Sequence, residues 1–103
     1  MIAAQDQQTP LSLKFYVAGD GIFTRNAIAN LKNLVSGLNQ NADAALLTEV
    51  EVIDVTQAPS VALELGIFTT PTLIVSSTTK KLRFVGDISD PQKIIEVLES
   101  DWG

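Results

Sequence analysis

The chain has 103 residues, of which 46% are apolar and 18% are charged, and it contains neither cysteine nor histidine. These values are typical of one folded domain, and the two missing residue types exclude disulfides, thiol redox chemistry and histidine-based catalysis. Twelve acidic residues against seven basic ones give a net charge of −5. This balance argues against nucleic acid or an anionic membrane as the main partner.

The first ten residues are polar after Ala4 and lack the basic start and apolar stretch of a signal peptide. No apolar run approaches the ~20 residues that a membrane-spanning helix needs. We therefore expect a cytoplasmic protein with a flexible segment at residues 1–10 and a single domain at residues 11–103.

The first predicted strand lies at residues 11–17, where apolar and polar side chains alternate. Residues 18–21 break this pattern, and Thr24 is a candidate N-cap for a helix with apolar residues at three- and four-residue steps. Gly37 and the polar run at residues 39–41 are expected to end that helix.

A second strand is predicted at residues 50–55, and its nearly continuous apolar character around Ile53 favours a central place in the sheet. The second half of the chain predicts, in order, a short helix from Pro59 to Gly66, a strand at 72–75, a hairpin loop at 76–80, a strand at 82–85 and a helix that starts near Asp90. The buried stripe of this last helix is expected to comprise Ile94, Ile95, Val97 and Leu98.

The order βαβαββα favours a parallel β-α-β unit followed by an antiparallel β-β pair, which is typical of a thioredoxin-like α/β fold. We expect a four-stranded mixed sheet with helices on both faces. Pro71 lies directly before the third strand, where thioredoxin-like folds carry a cis-proline. Because cis X-Pro bonds are scarce, a cis Thr70–Pro71 bond is a specific prediction.

Residues 19–21 read Gly-Asp-Gly between a strand and a helix, which is the location of a phosphate-binding loop. Thr24 stands where the third glycine of that motif belongs, and Asp20 adds negative charge, so a tight turn is the favoured interpretation. Redox thioredoxins carry Cys-x-x-Cys at this place, whereas this chain has Gly-Ile-Phe-Thr at residues 21–24. Disulfide exchange through this loop is therefore excluded.

Paired carboxylates are the remaining candidates for acid–base catalysis. Glu49 and Glu51 share one face of the second strand, but charged residues are seldom buried, so a solvated face is the favoured interpretation. Asp54 and Asp87 are expected to form local hydrogen bonds at strand ends. The sequence therefore predicts no catalytic residue, no cofactor and no metal site.

Five short blocks occur in order between residues 11 and 98: L-K-F-Y-V-A-G at 13–19, L-K-N at 31–33, V-I-D-V at 52–55, T-P-T-L at 70–73 and G-D-I-S at 86–89. Together, at this spacing, they resemble the KaiB family of cyanobacterial circadian clock proteins. The KaiB-like sensor domain of the clock histidine kinase SasA is a close relative of that family.

The resemblance implies a role without catalysis. KaiB proteins bind the KaiC ATPase ring, displace SasA and sequester KaiA, which resets phosphorylation. They also occur in two folds, a ground state that forms tetramers and a rare thioredoxin-like state that binds KaiC. The switch between the two changes the second half of the chain, including the region that corresponds to Pro71.

Several positions depart from the family pattern. The family's triple proline is replaced by Ser-Ser-Thr-Thr at residues 76–79, a glycine in its C-terminal segment aligns with Val97, and an acidic neighbour aligns with Glu99. Glycine costs about 1 kcal/mol relative to alanine in a helix, so Val97 is expected to stabilise the last helix. We therefore hypothesise that the chain is held in the thioredoxin-like state.

The implied docking surface also differs, because Glu49 and Glu51 replace small and basic residues and Asn26 replaces a basic one. We predict a partner-binding surface that comprises Asp20, Asn26, Glu49 and Glu51. The expected partner is a KaiC-like ATPase, or a histidine kinase or response regulator, and homo-oligomerisation stays open. Two alternatives also stay open: a sensor domain of a SasA-type kinase and a thioredoxin-like oxidoreductase, which the missing thiols disfavour.

Overall fold

The computed structural model describes residues 9–40 and 45–102. Within these ranges the elements are β1 (Thr9–Val17), α1 (Ile22–Gln40), β2 (Ala45–Asp54), α2 (Pro59–Leu65), β3 (Thr72–Ser76), β4 (Lys81–Val85) and α3 (Pro91–Trp102). The predicted order of strands and helices is therefore confirmed. Residues 1–8 of the segment predicted as flexible, and Asn41, lie outside the described residues, whereas Thr9 and Pro10 belong to β1.

The four strands form one mixed sheet in the order β2-β1-β3-β4. β1 is parallel to β2 and antiparallel to β3, and β4 is antiparallel to β3. The prediction that the second strand is central is wrong, because β2 forms an edge of the sheet. Its apolar run is divided between two faces: Ile53 packs beneath α2, while Val50 and Val52 lie on the opposite face and are 43% and 42% exposed.

The main core lies between the sheet and the helices α1 and α3. Alternate side chains of β1 point into it, and α1 contributes a stripe at helical spacing; the buried members are Leu11, Leu13, Phe15 and Val17 of β1 and Ala27, Leu31, Leu34 and Leu38 of α1. Each fully buried large apolar side chain stabilises the fold by about 1.5–3 kcal/mol, so this face supplies most of the stability.

The predicted start of α1 is wrong, and its end is predicted only in part, because the helix continues past Gly37 and is described to Gln40, within the polar run at 39–41. The helix begins at Ile22, since the Gly21 carbonyl accepts a hydrogen bond from the Arg25 N–H at 3.0 Å. Thr24 is not an N-cap, because its hydroxyl lies within the helix and donates to the Ala18 carbonyl at 3.0 Å. The helix also continues through Gly37, where an added Cβ would lie only 2.8 Å from Ile95 Cδ1. Gly37 therefore permits the close packing of α3 on α1 and does not end the helix.

The opposite face of the sheet carries a smaller cluster, in which Tyr16, Ile67 and Ile74 are buried beneath α2. As predicted, α2 ends at Gly66, which has a φ of 67° and donates its N–H to the Leu63 carbonyl. The Arg83 guanidinium of β4 then donates to the carbonyls of Leu65 at 2.7 Å and Gly66 at 3.1 Å. Arg83 thus ties the end of α2 to the sheet.

At the start of α3, the Asp90 carboxylate accepts a hydrogen bond from the Lys93 N–H at 3.4 Å, the geometry of an N-cap. The buried stripe of α3 comprises Ile94, Ile95 and Leu98. The prediction that Val97 belongs to this buried stripe is wrong, because its side chain is 43% exposed. None of the helices in residues 9–40 and 45–102 combines the length and the apolarity that crossing a membrane requires.

Candidate partner-binding surfaces

The turn between β1 and α1 is held in place by hydrogen bonds on both sides. Gly19 adopts a φ of 76°, a left-handed conformation that glycine reaches without strain, and its N–H donates to Asp54 Oδ1 at 3.0 Å. Thr24 anchors the other side through the Ala18 carbonyl. Asp20 is therefore presented to solvent from a defined turn, as the interpretation of residues 19–21 as a tight turn predicts.

Asp54 joins the end of β2 to this turn. Its Oδ1 also accepts hydrogen bonds from the Thr56 hydroxyl at 2.7 Å and the Thr56 N–H at 2.9 Å. The N–H of Gly19, followed by the hydroxyl and the N–H of Thr56, lowers the pKa of the Asp54 carboxyl below its ordinary value, because all three donors favour the charged form. The predicted role of Asp54 as a local hydrogen-bonding residue is confirmed.

A bulge in β2 decides which face Glu49 and Glu51 occupy. Leu11 pairs with Leu47, but Ser12 pairs with Glu49, so Thr48 is an extra residue in the ladder. Its hydroxyl donates to the Leu11 carbonyl at 3.1 Å. Without this insertion, the alternation of the strand would place Glu49 beside Leu13 and turn it toward the main core.

With the bulge, Glu49 and Glu51 are exposed on the face that carries α2, as the prediction of a solvated face requires. Glu49 Oε1 accepts a hydrogen bond from the Ser12 hydroxyl at 3.1 Å, and Lys14 lies opposite Glu51 in the register. Val50 and Val52 are exposed on the other face of the same strand. We call these four residues, Glu49 to Val52, the edge surface.

Asn26 lies on the other side of the sheet from Glu49 and Glu51. It is exposed on α1 and lines an open groove of about 240 Å³ together with Phe23, Asn30, Pro71 and Asp87. We call these five residues the turn groove. The structure therefore does not bring the four predicted site residues together: Glu49 and Glu51 belong to the edge surface, Asn26 to the turn groove, and Asp20 to the turn that precedes α1.

Sequence reasoning missed the exposed apolar side chains near this turn. Phe23 and Phe68 are each 87% exposed, and Ile22 is 63% exposed. A signal was present only for Phe68, which follows the helix-ending Gly66, whereas Phe23 lies four residues before Ala27 and so matches the spacing of the α1 stripe.

The Thr70–Pro71 bond is cis, as predicted, and both residues line a small cavity with Phe23 and Thr24 at the start of α1. The Gly-Ile-Phe-Thr segment thus lies beside the cis-proline. Asp87 accepts hydrogen bonds from the Ser89 N–H and hydroxyl, both at 2.8 Å, which confirms its predicted local role. The side chain of Glu99 lies outside the described part of the chain.

Solved structures with the same fold include thioredoxins and the sensor domain of a clock kinase. The mitochondrial thioredoxin 3 of Saccharomyces cerevisiae superposes with a TM-score of 0.62 at 15% identity, covering 91% of this chain and 81% of that one. The N-terminal domain of Synechococcus elongatus SasA superposes with a TM-score of 0.66 at 16% identity, covering 88% and 81%. The chain is thus a thioredoxin-like domain without the thiol pair.

The family model of the KaiB domain matches residues 14–100. The circadian clock oscillator protein KaiB of Nostoc sp. is 34% identical over 98 residues, which covers 87% of this chain and 86% of that protein. The chain therefore belongs to the KaiB family of circadian clock proteins, as its sequence blocks predict.

Proposed function

We propose that this protein acts in the cytoplasm by binding a signalling partner, a KaiC-type ATPase or a related protein, and not by catalysis. Family membership supports a role in clock-type signalling. The single observation that carries the binding mode is the exposure of both faces of β2 at the edge of the sheet.

The geometry of β2 is suited to recognition of another protein. The strand is ten residues long and pairs with β1 on one side only, so its outer backbone groups are available to an added strand. Val50 and Val52 offer apolar contact area on one face, and Glu49 and Glu51 offer charge on the other. A partner strand that pairs beside β2 would be contacted by side chains from both faces of β2.

The two carboxylates also define the chemistry of the partner. Like charges across an interface can cost several kcal/mol, whereas complementary charges accelerate association and fix the register. We infer that the partner presents lysine or arginine opposite Glu49 and Glu51. A KaiC homologue that has diverged together with this chain would meet this requirement.

The test is the affinity for the KaiC homologue encoded in the same genome, measured by calorimetry with the full chain. Glu51→Lys should weaken binding by about tenfold, which corresponds to about 1.4 kcal/mol. Glu51→Gln, which avoids placing a new lysine opposite Lys14, should weaken it less. The matched control is Glu96→Lys on the exposed surface of α3.

An unchanged affinity in Glu51→Lys would show that the edge surface is not the docking face. If the unmodified chain does not bind the KaiC homologue at all and instead captures a kinase or response regulator from the cell, the proposed partner is wrong. The edge surface would then be tested with the captured protein.

We further propose that the chain remains in the thioredoxin-like state. Val97 supports this state because it occupies the second turn of α3, inside the helix, where glycine would be about 1 kcal/mol less favourable than alanine. The unmodified chain and Val97→Ala should give one set of NMR signals, whereas Val97→Gly should be less stable and show a slowly exchanging minor conformer. A second conformer or a tetramer in the unmodified chain would contradict the proposal.

A second candidate, a sensor domain of a SasA-type kinase, is favoured by the superposition on the N-terminal domain of SasA. An open reading frame that continues into a histidine kinase core would establish it. The third candidate, a thioredoxin-like oxidoreductase, would require activity in an insulin-reduction assay, and the absence of cysteine predicts none.

A further inference from the structure

The two edges of the sheet carry opposite charges on the same face. β2 and β4 are the outer strands, and each pairs with one neighbouring strand in the described part of the chain. Two rows of register partners cross the sheet on the face that carries α2. They comprise Glu49, Ser12, Ser76 and Lys81 in the first row, and Glu51, Lys14, Ile74 and Arg83 in the second. Each row therefore begins with a carboxylate at the β2 edge and ends with a cation at the β4 edge.

These charges select which edges can meet. All four side chains at the ends of the two rows are exposed. Charged residues on edge strands ordinarily prevent pairing between copies, because like charges directly opposite each other are destabilising. Two β2 edges would oppose carboxylates, and two β4 edges would oppose Lys81 and Arg83 of both copies. Pairing of β2 with β4 instead brings opposite charges together.

The directions of the strands permit this pairing. β1 is parallel to β2 and antiparallel to β3, and β3 is antiparallel to β4, so β2 and β4 run the same way. A second copy displaced sideways along the sheet, with α2 on the same side, places its β2 beside β4 as a parallel neighbour. An antiparallel arrangement of these two strands would turn the second sheet over and place its carboxylates on the face opposite Lys81 and Arg83.

One parallel register matches side chains on both faces of the strands. The opposed pairs are Lys81 with Glu49, Leu82 with Val50, Arg83 with Glu51, Phe84 with Val52, and Val85 with Ile53. Ion pairs thus form on the α2 face, and on the other face the two exposed valines of β2 meet the partly buried Leu82 and Phe84 of β4. A shift by one residue would place charged side chains beside apolar ones, and a shift by two would keep one ion pair.

We propose that β4 of one copy of this chain binds β2 of a second copy, head to tail and parallel, with Lys81 opposite Glu49. Val85, which is 59% exposed at the end of β4, gains an apolar neighbour in Ile53. The second copy occupies the edge surface, so self-association competes with any protein that docks on β2. This contact needs only the chain itself, whatever partner the proposed function assigns to β2.

The contact is short, so the association is weak. β4 has five residues, and pairing along them buries less than the roughly 1,200–2,000 Å² of a stable protein interface. The net charge of −5 also opposes association. We expect a dissociation constant on the order of 0.1–1 mM. Because the interface joins two different edges, each chain of copies keeps one β2 and one β4 available, which gives an open series of oligomers and not a closed tetramer.

The experiment is sedimentation velocity of the full chain from about 0.05 to 2 mM, a range that brackets the expected dissociation constant. The mean sedimentation coefficient should rise continuously with concentration. In an NMR dilution series over the same range, the amides of residues 49–52 and 81–85 should shift, whereas those of Leu31 and Leu34 in α1 should not.

Charge reversal at one register pair gives the sharpest test. Glu49→Lys opposes two lysines and Lys81→Glu opposes two glutamates, so each variant alone should self-associate about tenfold more weakly. An equimolar mixture should recover association, since each junction between unlike variants again pairs a lysine with a glutamate. The matched controls Glu96→Lys and Lys93→Glu change the net charge by the same amounts at exposed positions of α3 and should associate as the unmodified chain does.

A sedimentation coefficient that is independent of concentration over this range, or a discrete dimer or tetramer, would overturn the proposal. Reversal variants that associate as strongly as the unmodified chain, or a mixture of folded variants that stays monomeric, would do the same. The dilution series of the unmodified chain decides the matter even where a variant fails to fold, because shifts confined to surfaces other than β2 and β4 would place the contact elsewhere.

Discussion

The two faces of the sheet are packed to different extents. On the face that carries α1 and α3, 14 residues form a continuous buried cluster, whereas only three residues of the described chain are buried in the cluster on the α2 face. α2 is seven residues long, contains no fully buried residue and depends on Arg83 to fix its end.

This difference places most of the stability of the fold on the α1–α3 face. The α1–α3 face encloses enough apolar surface to hold the fold, so the other face can leave Ser12, Lys14, Glu49 and Glu51 in contact with solvent. Substitutions on that polar part of the sheet should therefore change binding without unfolding the domain.

The largest expected effect is the difference in stability between substitutions of two leucines, one on each face of the sheet. Leu34 of α1 is fully buried in the main core, whereas Leu65 of α2 is only partly buried. Leu34→Ala should lower the free energy of unfolding by about 3–5 kcal/mol and Leu65→Ala by about 1–2 kcal/mol, measured by urea denaturation. Equal losses would show that both faces stabilise the fold to the same degree.

A second prediction concerns the α2 face alone, where Arg83 binds the end of α2. Arg83→Met keeps the aliphatic part of the side chain and removes the hydrogen bonds to Leu65 and Gly66, a loss of about 1 kcal/mol. Amide hydrogen exchange in α2 should accelerate about fivefold, while exchange in α1 should not change. Lys81→Met on the same strand is the control, and a similar acceleration there would contradict the role of Arg83.

The smallest expected effect concerns Asp54, which links the end of β2 to the turn between β1 and α1. The folded pKa of Asp54 is lowered, so its carboxylate contributes stability above the unfolded pKa of about 3.9 and loses it as the pH falls through the folded pKa. Asp54→Asn should therefore be less stable than the unmodified chain at pH 7, and the difference should vanish in acid. A difference that is independent of pH would mean that the charge is not involved.

Much of the fold is predictable because local chemistry and tertiary packing agree. The alternation in β1, the glycine that ends α2 and the proline before β3 each specify one local structure. Gly37 was wrongly predicted to help end α1 for a tertiary reason, since a Cβ there would meet Ile95 of a distant helix. The edge position of β2 was not predicted, because a run of apolar residues does not reveal that its members lie on opposite faces of the strand.

The candidate site was predicted only in part. Glu49 and Glu51 lie on the α2 face, and not toward the main core, because of the bulge at Thr48, and no propensity in the sequence indicates a bulge there. Asn26 was grouped with them by its alignment to the family, but the helix places it across the sheet. Phe23 and Phe68 escaped notice because single aromatic residues in a short chain are usually assigned to the core.

The most direct test of the account is hydrogen–deuterium exchange of the full chain, alone and in complex with the KaiC homologue from the same genome. We predict strong protection in β2 (Ala45–Asp54) on binding and unchanged exchange in α3 (Pro91–Trp102). Protection of α3 with unchanged exchange in β2 would contradict the central claim that the edge of the sheet is the docking face.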